Sequence, residues 1–227
     1  EELGTAGYRR TMVTDFHHDF KPGFNLHRGF GAWRITRGQE IDLYENAPSW
    51  GIDVRPYLHA SQLAAGTGMA TLVMRYLMNR KSWSTEDDWP VTRLFRDAAD
   101  WLEKGYQDSN PFYLHIESYS PHEFWDPPED YYRLYMKSNY SGPRLIEAPP
   151  DASLLTPVEM EHVRSLYAGY VTFADACVGK FLEKVEQLGL LSNTIIVFTA
   201  DHGTQTGEHG EIHKHEGIGG SETMVVE

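Results

Sequence analysis

The sequence predicts an α/β fold, a mostly parallel sheet flanked by helices, and three observations carry that prediction. Apolar, β-branched runs at 10–15, 112–118 and 194–198 have strand composition. Stretches with apolar residues at helical spacing lie between them, the clearest running from Thr156 to Gly189. Strand, helix, strand in that order implies parallel strands joined by right-handed crossovers.

The first residues read as the end of a helix closing near Gly7, ahead of a strand from Arg10 to Asp15. Residues 16–56, rich in Phe, Gly, Trp and Arg without a steady period, read as a long loop region over the face of a site. Met69, Leu72, Val73, Tyr76 and Leu77 give 58–80 a helical spacing. Asp88 or a neighbour caps a clearer helix, with Val91, Leu94, Phe95, Ala98 and Leu102 on one face and Gly105 at its close. Pro111 opens the second strand, which runs into Tyr-Ser-Pro-His122, and the prolines and tyrosines of 126–155 read as an irregular excursion. Thr156-Pro157-Val158-Glu159 has capping-box spacing with proline at the first helical position. Val163, Leu166, Tyr170, Ala174, Phe181 and Val185 mark the long amphipathic helix that follows. The run Thr194–Phe198 reads as a buried parallel strand delivering Asp201-His202-Gly203 to a loop. One domain is expected over 1–227, as an incomplete part of a longer chain, because the sequence opens on Glu in mid-helix.

The chain has 227 residues, 41% hydrophobic and 23% charged, enough for a real core. A net charge of −13 argues against nucleic acid or an anionic membrane as partner, since neutralising phosphates takes clustered Lys and Arg. A small anion can still bind where local groups set the potential. One cysteine excludes an internal disulfide, and no apolar run approaches the length of a membrane span.

In open α/β sheets ligands bind at the carboxyl ends of strands. Asp201 and His202 would sit there as an oxygen and a nitrogen donor, which suits calcium, manganese or magnesium better than a structural zinc. Their bland reading is a turn-capping carboxylate beside a loop histidine. Lys214 offers a fixed cation, or an ordinary surface lysine. His122 follows Pro121 just past a strand, at the same edge, while mid-strand His115 reads as a packed, hydrogen-bonded core histidine. His209 and His213 are four apart, as in a zinc-protease helix, but Gly210 stands where that motif needs Glu, and Gly203 and Gly207 oppose a helix. Arg37 and Asp42 are a candidate ion pair that shapes the pocket. Tyr119, Phe124, Trp125, Tyr131 and Tyr132 line a pocket or, at least as readily, pack a core.

The block Asp201-His202-Gly203 … Gly207-Glu208-His209-Gly210 … Lys214, together with the strand ending in Pro121-His122 before a proline-rich loop, resembles the sulfatase family of the alkaline phosphatase superfamily. The segment from Asn25 to Asp42 is also similar to a sulfatase block. The resemblance implies an alkaline-phosphatase-like sheet. It makes Asp201 and His202 metal ligands, usually for calcium, and Lys214 a sulfate contact. His122 would touch the sulfate or the leaving-group oxygen, as a catalytic group beside Lys214. His213 and His215 flank Lys214 as supporting groups, with His215 also a substrate contact or else a solvated loop residue. The expected activity is hydrolysis of a small-molecule sulfate monoester by a formylglycine-dependent enzyme. Phosphonate monoester or phosphodiester hydrolysis is the alternative, because His202 stands where many arylsulfatases carry Asn; a noncatalytic metal-binding relative is the other. The family's Cys/Ser-x-Pro-x-Arg nucleophile motif and N-terminal Asp pair are absent from this sequence, and Cys177 reads as a small core residue. The chain is therefore expected to hold half a metal site and no nucleophile, and to be inactive alone.

Overall fold

The computed structural model describes residues 2–20, 23–45, 51–106 and 110–214. Contacts group the chain into two compact units: 1–50, 75–121 and 174–194 form one, and 51–74, 122–173 and the residues from 195 on form the other.

The first unit is built on a parallel sheet of order β2–β1–β3, from β1 (Arg9–Thr14), β2 (Ala32–Ile35) and β3 (Phe112–Glu117). The β1 strand runs in register with β2 from Thr11↔Ala32 to Thr14↔Ile35, and with β3 from Arg9↔Phe112 to Thr14↔Glu117. As the central strand it is covered on both faces, which is why Thr11, Met12, Val13 and Thr14 are all buried. A short helix, α1 (Glu2–Thr5), precedes it, and Gly7 makes the turn at φ 86°, a left-handed conformation open to glycine without steric penalty. One helical turn, α2 (His17–Phe20), follows β1. The periodic stretch at 58–80 is two helices, α3 (Ala60–Ala64) and α4 (Thr67–Arg80), broken at Gly66 with φ 120°.

Helix α5 (Pro90–Asp100) starts one residue later than Asp88 would put it: Trp89 is its cap and Pro90 its first residue. The Asp88 carboxylate instead accepts the Ser84 and Thr85 N–H groups, each at 2.8 Å, and so shapes the turn before it. A π-helical turn, Trp101–Gly105, ends the helix. Its apolar face lies on the sheet: Val13, Leu94 and Ala98 form one core cluster with Phe95, Leu114, Ile116 and Phe181 against it. Trp101, Leu102 and Val185 form a second. Each fully buried Leu or Val here contributes roughly 1.5–3 kcal/mol.

The second unit contains α6 (Glu129–Arg133), the single α-helix within the irregular 126–155 stretch, which also holds a 3-10 turn at Ala152–Leu154. Helix α7 (Pro157–Gln187) begins with the predicted capping box: Thr156 N–H donates to Glu159 Oε2 at 2.8 Å, and Glu159 N–H donates to Thr156 Oγ1 at 3.3 Å. Gly169 lets the Tyr132 backbone approach α7, since a Cβ there would fall 2.5 Å from Tyr132 Cα. Trp125, Leu145, Ile146, Val163, Leu166 and Phe173 are buried with it. An antiparallel pair, β4 (Gln205–Thr206) and β5 (Ile212–His213), is tied to the chain before α7 by the Ile212 N–H, which donates to Pro150 O at 2.8 Å. Among the described residues no helix is long and apolar enough to cross a membrane.

Two expectations are corrected. The stretch 16–56, expected as a long loop region, holds α2 and the paired strand β2. Residues 194–198 form no strand, and Ile195, Val197 and Phe198 are 91%, 80% and 83% exposed. Hydropathy supplied a strand-like run, but a strand needs a hydrogen-bonding neighbour, and no described strand pairs with this one.

Candidate active site

Four of the predicted residues meet in the second unit. Lys214 Nζ lies 3.4 Å from His122 Nε2, and the His122 ring meets the His202 ring edge-on with centroids 6.2 Å apart. Asp201 adjoins His202, its Oδ1 accepting the His202 N–H at 2.9 Å. His215 lies outside the described residues.

The His202 Nδ1–H donates to Gly203 O at 2.8 Å, which leaves the Nε2 lone pair free, 3.8 Å from Asp201 Oδ2. The Asp201 side chain is 89% exposed. An oxygen and an imidazole nitrogen facing one space fit a hard divalent cation in donor chemistry. They supply two ligands; among the described residues no group of three or more His, Cys, Asp or Glu could hold a metal ion.

Sequence reasoning missed the group that organises His122. Glu123 is buried, and each of its carboxylate oxygens takes one imidazole: Oε2 lies 2.8 Å from His122 Nδ1, and Oε1 lies 2.8 Å from His213 Nδ1. His213 Nε2 reaches Ala148 O at 2.7 Å, with Glu147 Oε1 at 3.5 Å, and its ring packs 5.0 Å from that of Trp125. Burial alone would raise the Glu123 pKa, but hydrogen bonds and charge from both histidines hold it well below the carboxylate range. Burial depresses both imidazoles, and Glu123 outweighs it in each: His122 titrates above its ordinary value, and His213, helped by the charge of Glu147, is raised to about 9. The signal available in the sequence was local, an acidic residue directly after His122 and a histidine directly before Lys214.

The zinc-protease alternative lacks its scaffold. His209 sits in a turn at φ 58°, His213 is in β5, and both His213 nitrogens are occupied by protein oxygens. Among the aromatics, Phe124, Trp125 and Tyr132 are core residues, and Tyr131 packs on Phe173. In the first unit Tyr119 stacks on Phe16 at 5.3 Å. His115 is half-buried in β3, where desolvation lowers its pKa and Tyr113 and Phe30 flank its ring. Arg37 and Asp42 do form the predicted pair, with Nε–Oδ2 and Nη2–Oδ1 both at 2.6 Å. Cys177 is buried in α7 and its thiol is pushed up by burial.

At the end of β1 stands another group that the sequence did not single out. Asp15 is fully buried; its Oδ1 accepts the Tyr119 N–H at 2.6 Å and its Oδ2 has no hydrogen-bond partner. Desolvation raises it to about 7.

A sulfatase family model matches residues 2–223, and the chain belongs to that family. Arylsulfatase K of Canis lupus familiaris is 31% identical over 233 residues, covering 86% of this chain and 39% of its own. An arylsulfatase of Clostridium perfringens is 24% identical over 148 residues, with 59% of this chain and 31% of its own covered. In fold the chain is similar to the phosphonate monoester hydrolase of Agrobacterium radiobacter, with TM-score 0.59 and 17% identity over 96% of this chain and 49% of that one. The alkaline-phosphatase-like α/β expectation is met. The chain spans about a third of the curated relatives' length.

Proposed function

We propose that this chain supplies part of the site of a sulfuric ester hydrolase that, as the intact protein, acts on the sulfate monoester of a small molecule. Lys214 and His122 are its contacts to the sulfuryl group, the family resemblance adds His215 as a substrate contact, and Asp201 and His202 are ligands of a divalent cation. Calcium is the ion the family resemblance favours; manganese and magnesium suit the same donors. The observation that carries this reading is the 3.4 Å approach of Lys214 Nζ to His122 Nε2 beside His202. Two cationic or proton-bearing groups held this close, one of them secured from behind by Glu123, favour an anion in front of them.

Lys214 offsets the charge on the sulfuryl oxygens. His122 has its Nδ1 edge committed to Glu123, so Nε2 is the atom that donates to the anion or to the departing oxygen, where a proton stabilises the developing alkoxide. A bound cation supplies further positive charge on the same oxygens. The nucleophile of the reading is formylglycine, and the buried Cys177 is not that residue. In the intact protein, Lys214→Ala is expected to lower turnover of an aryl sulfate by about 10²–10³ while circular dichroism and Tm hold. Unchanged turnover removes Lys214 from the site.

Phosphonate or phosphodiester hydrolysis is the second reading, favoured by the imidazole at His202 and by the fold similarity to a phosphonate monoester hydrolase. Matched kcat/KM values for aryl sulfate, aryl phosphonate and aryl diester separate the two: a dominant phosphorus ester replaces the first reading with the second.

A further inference from the structure

We propose that Glu123 and His213 are positioning residues for the anion site, with one buried imidazole, His213, setting both the ring of His122 and the backbone that presents Lys214. The inference rests on the reading of His122 and Lys214 as anion contacts.

Glu123 divides its two oxygens between two rings, His122 Nδ1 and His213 Nδ1, both at 2.8 Å. His122 therefore has one edge fixed and presents Nε2 on the side where Lys214 Nζ lies. Glu123 in turn is held by a ring that cannot turn away. His213 has one nitrogen on Glu123, the other on Ala148 O at 2.7 Å, and a face against the fully buried Trp125. Both ring nitrogens face oxygen acceptors, so both donate. The His213 backbone has φ 76°, a left-handed conformation uncommon for a side chain of this size. The three ring anchors hold it there, and the next residue is Lys214. Thus the direction in which Lys214 leaves β5 and the direction in which Nε2 of His122 points depend on the same buried ring. A purely structural ion pair would stabilise the fold without coupling to His122.

Proton and ¹⁵N NMR of the histidine-labelled intact protein tests this without any turnover. The Nδ1 protons of His122 and His213 are expected downfield and slow to exchange. Glu123→Gln should remove both features; His213→Asn, a residue that tolerates positive φ, deletes the His213 signal with its ring and should weaken that of His122. In kinetics, Glu123→Gln and His122→Ala should each lower kcat on an ester with a poor leaving group, by about 10²-fold, with less effect for a good leaving group. The double variant should be no slower than His122→Ala. A His122 resonance indifferent to both substitutions, or losses that multiply in the double variant, overturns the proposal. Should the wild type turn over neither sulfate nor phosphorus esters, the proposed function falls, and the NMR result still decides the positioning.

Discussion

Asp15 in the first unit and Glu123 in the second are both buried carboxylates, and they are shifted in opposite directions. Desolvation acts on both and raises both. Asp15 meets it with one backbone N–H and an orphaned oxygen, and ends near 7. Glu123 has an imidazole on each oxygen, and stays ionised. Burial therefore sets the size of the penalty, and the partners within hydrogen-bond reach decide whether the charge survives it. Asp42, nearly as buried as Asp15 but gripped by Arg37 and the Gly38 N–H, titrates low and falls on the side of Glu123 although it shares a unit with Asp15.

The sharpest way to break this comparison is Asp15→Asn. A folded value near 7 against 3.8 in the unfolded chain means the fold holds the proton more tightly. Stability from this group is then greatest below about pH 4, falls as pH rises to 7, and is level above, a loss on the order of 4 kcal/mol. Denaturant melts should show the stability of the variant relative to wild type rising by on the order of 4 kcal/mol between pH 4 and pH 8. An equal effect at both pH values would show that charge is not what Asp15 contributes. His213 gives the next effect, of opposite origin. Its imidazole is raised from 6.5 to about 9, so its contribution is fully present below pH 6.5 and disappears as pH passes 9. A decline on the order of 3 kcal/mol across that window is expected in the wild type, and a shallower one in Glu123→Gln, where Glu147 and Ala148 O still face the ring. The smallest effect sharpens the Asp42 point: Arg37→Lys removes one prong of a half-exposed guanidinium from the buried Asp42 carboxylate and should lower stability by about 1 kcal/mol, measured by melts at neutral pH.

What the sequence disclosed, and what it withheld, follows the reach of the interactions. The capping box at Thr156 and Glu159, the α5 stripe and the breaks at Gly7 and Gly105 depend on residues a few positions apart. The β1 and β3 strands announced themselves by composition because both are part of one parallel sheet. The run at 194–198 had the same composition and no pairing partner, a property that no local window contains. The quartet His122, Asp201, His202 and Lys214 was legible through motif resemblance. Glu123 was not, and His213 was read only as a support beside Lys214, because their shared significance lies in a contact across 90 positions of chain. Asp15 escaped for the converse reason: what matters is a partner it lacks.

The exposed stretch from Thr194 to Ala200 has a consequence for the chain in solution. It contains no charge, no proline and no glycine, and its β-branched and aromatic side chains face outward. Windows of this kind stack between molecules into cross-β fibrils, each backbone group finding in a neighbour the partner it lacks at home. In a concentrated sample this short window is therefore the expected starting point of self-templated assembly.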